Sequence, residues 1–317
     1  MQPAFSVLFL TTLIGAGQGL FLALFLAELG GHIGWAPVAE RSFLALGAAV
    51  ALVLTGLGLL SSFFHLGRPE RAWRSATRWR TSWLSREVIV LPLFMAAVAA
   101  YALAHASGWS ASHAVPMLVL GAITAVLALA LYVCTAMIYA CLKFLQEWAS
   151  PLTVVNYLLL GSASGFMLAT ALAAQAAAAL VLFFGVGALL ATAAAFVTRT
   201  ASLIRNARLR PKSTLQTAIG IRHPRIVQIS QGMMGGSFNT REFFHGRSRA
   251  FFRSVKWMFL VLAFPIPAAL LAAGLLQDVP LLTALAFVVQ YVGLLAERWF
   301  FFAQANHPQN IYYQAVA

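Results

Sequence analysis

At 317 residues, 61% of them hydrophobic and 9% charged, the chain falls far below the roughly 25% charge of a soluble globular domain. A mean hydropathy of +0.84 and a formal charge of +13 exclude a soluble fold and point to a basic integral membrane protein. Several apolar runs reach the roughly 20 residues that a helix needs to cross a bilayer core. They are Ala- and Leu-rich and too long for the alternating strands of a barrel, so the expected fold class is all-α, with every backbone polar group satisfied inside its own span.

The first segment, MQPAFSVLFLTTLIG, has no basic leader and no small-residue cleavage site, so it reads as a span and not as a signal peptide. Eight transmembrane helices are predicted, at about 5–28, 42–64, 86–106, 114–138, 152–175, 177–199, 255–276 and 280–302. They form a single polytopic membrane domain over 1–317, expected as two four-helix bundles. In the first span GAGQG, Gly15 to Gly19, sets glycines at alternate positions, which lets neighbouring helices approach closely. Between the fifth and sixth spans the break is weak and falls at Gln175.

The second span runs into SSFFHLGRPERAW, residues 61–73. His65 sits at the junction, Gly67 and Pro69 stop the helix, and Arg68 and Arg71 follow. Glu87 lies one turn into the third span, at the same expected depth. A histidine, arginines and a carboxylate beside an apolar cavity suit a quinone headgroup. The ring carbonyls need donors, and reduction to the quinol takes two protons. Histidine titrates near neutral pH, a partly buried glutamate can relay protons, and arginine stabilises negative charge developing on the ring oxygens. Gln18 is a further ligand to the ring or an interhelical hydrogen bond. The plainer alternative has His65 capping a helix and Glu87 paired with Arg86 or Arg71.

Other chemistries have less support. Cys134 and Cys141 are too few for a cluster and are expected as buried small hydrophobes. Of seven histidines only His65 and His105 lie near span ends, on opposite faces about 30 Å apart by helix rise. No haem or metal is therefore expected in this chain. The spans look almost free of acids and bases, with Gln18, Asn156, Gln175 and Gln290 as polar exceptions, which argues against an ion-coupled carrier.

The connection from Thr200 to Ser254 is long for a plain linker and carries hydrophobic and aromatic residues throughout. It is expected to form an ordered docking surface for a partner, with Arg222, Arg225, Arg241 and Arg247 at its centre. Membrane lipid is the alternative occupant, and no nucleic-acid-binding module is recognisable. In this topology 20 of the 21 Lys and Arg residues fall on one face, with Arg41 opposite. The positive-inside rule then places the basic loops and both termini in the cytoplasm of a bacterial inner membrane.

PAFSVLFLTTLIGAGQGLFLAL, FFHLGRPERAWR, LSREV and GGSFNTREFFHG together resemble the DMSO reductase membrane-anchor family, over essentially the whole chain. The resemblance implies an anchor without a redox metal, which holds an iron–sulfur subunit and a molybdopterin catalytic subunit and exchanges electrons with ubiquinone or menaquinone. It implies quinone-site roles for His65 and Glu87, and less directly for Arg68 and Arg71. Basic loops on the inside imply, within that family, a cytoplasmic complex that oxidises sulfite, with the quinone half-reaction at this subunit. The alternatives are a quinol-oxidising anchor of a DMSO or polysulfide reductase, and a metal-free anion or small-solute transporter.

Overall fold

A computed structural model describes residues 1–230 and 243–312, and among these residues every regular element is helical. The helices are α1 (Phe5–Ile33), α2 (Arg41–Ser62), α3 (Trp83–Ala106), α4 (Ala114–Ala140), α5 (Pro151–Ala176) and α6 (Val181–Ala207). After a short α7 (Leu215–Ile219) come α8 (Arg249–Leu262), α9 (Pro265–Gln277) and α10 (Pro280–Ala303). Eight segments are long and apolar enough to cross a membrane, α8 and α9 together forming the seventh.

Local chemistry sets the boundaries. Ser82 and Ser150 cap α3 and α5 through their side chains, and Pro151 and Pro280 occupy first-turn positions where an N–H would be unsatisfied anyway. Gly34, with φ of 79°, closes α1 in the left-handed conformation. The seventh span breaks at Ala263 and Phe264, because Pro265 and Pro267 remove two helix donors. Gln290 of α10 fills one vacancy by donating to the Ala263 carbonyl at 3.3 Å.

At the centre lie α1 and α5. In their most apolar stretches 67% and 61% of residues are buried, against 28–39% in the other spans. Large apolar residues such as Leu57, Leu103, Val126 and Leu190 face outward, as a lipid-facing surface requires. The GAGQG glycines divide between two neighbours. Gly15 and Gly19 meet Gly161 of α5, whereas Gly17 meets Ala51 and Thr55 of α2. A Cβ on Gly165 would run into the backbone of Gly19 and Leu20. Gly165→Ala is therefore expected to destabilise the chain by about 1–3 kcal/mol through overpacking. Gly67→Ala, with no neighbour within 4 Å, should be neutral. Thermal unfolding in detergent measures both.

One end of the bundle gathers the 2–3, 4–5 and 6–7 connections with the first and last helical turns. The Met1 amine bonds the Ala303 and Ala305 carbonyls, and Arg205 donates to the Gln146 and Ala149 carbonyls. Arg41 lies at the other end, against the Gly108 carbonyl. Two expectations change here. Cys134 is buried, but Cys141 is exposed, because α4 ends at Ala140 and leaves it outside the packed stretch. Arg199, expected as the last residue of the sixth span, lies two turns inside α6, which continues to Ala207.

Candidate functional site

Near the basic end, α1, α3, α4, α5 and α10 enclose a cavity of about 30 Å³. That is room for about two water molecules. Its polar wall includes Gln18, Glu87, Tyr132, Thr135, Tyr157, Ser164 and Arg298, with Thr11 and Thr12. Glu87 is 7% exposed and accepts a 2.5 Å hydrogen bond from Thr135 of α4. Gln18 donates to the Ala128 carbonyl at 2.9 Å, so it joins α1 to α4 while lining the cavity. Neither arginine weighed as a partner for Glu87 takes that role. Arg86 turns back to the Trp79 and Arg80 carbonyls, and Arg71 lies 3.9 Å from Glu70 at the surface.

His65 ends a one-turn 3₁₀ segment, Phe63–His65, that touches α1. A second 3₁₀ segment, Pro69–Arg78, packs on α3. His65, Arg68 and Arg71 are all exposed, beside Phe64 at 82% and Trp73 at 66% exposure. The predicted site residues thus fall into two sets. Glu87 and Gln18 share the cavity, while His65, Arg68 and Arg71 lie outside it. Among the described residues no hydrogen bond or ion pair joins the sets.

A buried ionic triad escaped the sequence reading. Arg199 of α6 and Arg298 of α10 both pair with Glu297, at 2.6 and 2.5 Å, and all three side chains are at most 5% exposed. Arg298 also lies over the Tyr157 ring at 4.2 Å and the Phe301 ring at 4.9 Å. At the opposite end Glu28 accepts from the Tyr101 hydroxyl at 2.6 Å and lies 3.2 Å from His105. The expectation that the spans are nearly free of acids and bases is therefore corrected. Glu28, Glu87, His105, Arg199, Glu297 and Arg298 are all buried in helices, and pairing or hydrogen bonding offsets the desolvation of these groups. The signal was visible for one pair, in LLAERWFFFA, where a Glu–Arg dipeptide interrupts an apolar run.

Residues 1–304 match the family described as DMSO reductase anchor subunit (DmsC). The chain belongs to that family. It is also similar to a sulfite dehydrogenase subunit of Allochromatium vinosum, with 55% identity and full coverage of both chains. In this DmsC-family chain the basic end carries an open groove of about 670 Å³, lined by Phe144, Glu147, Asn206, Lys212, Leu215 and His307 among others. Arg222, Arg225 and Arg247 are exposed, and Arg241 lies outside the described residues. Among the described residues no three His, Cys, Asp or Glu side chains converge as metal ligands would.

Proposed function

We propose that this chain is the membrane anchor and quinone-reducing subunit of a molybdenum and iron–sulfur sulfite dehydrogenase. The observation that carries the reading is full-length identity of 55% to a protein named as a sulfite dehydrogenase subunit, joined to the family match. The partners would be an iron–sulfur electron-transfer subunit and a molybdopterin catalytic subunit. They would dock on the basic connection of residues 200–254, where Arg222, Arg225, Arg241 and Arg247 offer cationic contacts. The basic loops support an inner-membrane protein with both termini in the cytoplasm.

The Glu87 cavity, at about 30 Å³, fits water and not an aromatic ring. The exposed stretch of residues 64–73 would take a flat dione instead, since it carries an imidazole and two guanidinium groups together with exposed Phe64 and Trp73. A bound quinone supplies the electron-accepting ring, and its conversion to the quinol takes two electrons from the partner and two protons. His65 would donate a hydrogen bond to a ring carbonyl and pass its proton on. Arg68 and Arg71 would stabilise negative charge at the ring oxygens. Glu87 would hold the replacement proton among waters that Gln18 and Thr135 orient. In the assembled complex, His65→Ala is expected to lower sulfite-driven quinone reduction about ten-fold or more. Unchanged turnover would remove His65 from the site.

The reverse direction, a quinol-oxidising anchor of a DMSO or polysulfide reductase, has the family description in its favour. A reporter fused to the C-terminus separates the two. A cytoplasmic signal supports sulfite oxidation, and a periplasmic signal supports the reverse reading.

A further inference from the structure

Three spaces lie in series between the basic end and Glu87. Outermost is the open groove, in which Glu147 and Asn206 form part of the wall. The same two residues also wall a small chamber of about 10 Å³, with Asn156, Arg199 and Ser202. That volume is at the threshold for one water molecule. Tyr157 and Arg298 are in turn common to this chamber and to the Glu87 cavity. Each pair of adjacent spaces therefore shares polar side chains in its common wall.

The chamber also has groups that call for water. Arg199 Nη2 and Arg298 Nη1 are buried and make no hydrogen bond to the described residues. Buried guanidinium donors without protein partners are ordinarily satisfied by ordered water. On the other side of Glu87 the core is different. Phe21, Leu24, Phe94 and Val98 are buried together between the Glu87 cavity and the Glu28–His105 pair, and they offer a proton no partner.

We propose that protons reach Glu87 from the basic end through these two chambers, relayed on water from Glu147 past the Arg298–Tyr157 wall. The charge of the wall is a cost to a proton that Glu87 offsets. Arg199 and Arg298 face one carboxylate, Glu297, which leaves one net positive charge in the wall. An ionised Glu87 on the inner side balances that charge and draws a proton inward, so the route refills Glu87 after it has given its proton away. Arg205, also in the chamber wall, is held by the Gln146 and Ala149 carbonyls and by Asn206. The use of the delivered proton rests on the quinone reading above, whereas the route itself does not.

The test is infrared spectroscopy of the complex in lipid nanodiscs, without quinone, at the lowest pH at which the complex stays intact. It follows hydrogen–deuterium exchange of the Glu87 carboxyl band, assigned by its loss in Glu87→Gln. Ser202→Leu, which fills the outer chamber, and Glu147→Gln, which removes the surface relay, are each expected to slow exchange about ten-fold or more. Ser202→Ala should exchange as fast as the unaltered chain. Unaltered exchange in Glu147→Gln, or in an assembled Ser202→Leu complex, overturns the route. If Ser202→Leu fails to assemble, Glu147→Gln decides alone. Slowed exchange with quinone reduction indifferent to His65→Ala would uphold the route and sink the quinone site at His65.

Discussion

Glu297→Gln is expected to destabilise the anchor by about 3–5 kcal/mol, the largest effect on stability of any single change considered. The carboxylate is fully buried and is the charged partner of both Arg199 and Arg298. Its removal leaves two guanidinium groups inside the helix bundle with hydrogen bonds but no counter-charge. The penalty comes from the uncompensated cations, not from the worth of the ion pair, so the combination Arg199→Leu with Glu297→Gln should cost less than Glu297→Gln alone. Thermal unfolding of the purified chain in detergent compares the two. A single variant as stable as the unaltered chain would mean that the triad does not carry its charges as assigned.

Glu87→Gln is expected to lower quinone reduction about a hundred-fold or more, while sulfite oxidation with a soluble artificial acceptor continues at its usual rate. The amide keeps the size of the side chain and can still accept from Thr135, so packing around the cavity should survive. What it loses is the exchangeable carboxyl proton. Thr135→Val, which removes the hydroxyl but leaves the carboxyl, should give a smaller loss. If both activities fell together in Glu87→Gln, the variant would have broken assembly. If neither fell, Glu87 would not supply protons to the reaction.

The membrane spans were legible because bilayer thickness imposes a run of apolar residues that no soluble element requires, and even the weak break at Gln175 coincides with the end of α5 at Ala176. The GAGQG glycines were readable as close-approach positions, although only the fold shows that Gly15 and Gly19 face α5 while Gly17 faces α2. The ionic interior was not legible. Arg199 looked like the end of the sixth span, because helix continuation past it depends on packing and not on hydropathy. Glu87 has its hydrogen-bond partner 48 positions away, at Thr135, a distance no local pattern encodes. His65 and Glu87 were expected at one depth from their places at adjoining span ends, yet one lies on the surface and the other inside a cavity. A carrier reading of the chain had been weakened by the apparent lack of buried ionisable groups. Their presence removes that objection, but the pairing of Arg199, Glu297 and Arg298 leaves them committed to one another.

Affinity purification of the intact protein from its native membranes, followed by molybdenum and iron analysis and an assay of sulfite-driven quinone reduction, tests the anchor function most directly. The expected result is a co-purifying molybdenum protein and iron–sulfur protein that reduce quinone when given sulfite. A chain that emerges free of metal-bearing partners, and that in proteoliposomes accumulates sulfite or a related anion, would contradict it.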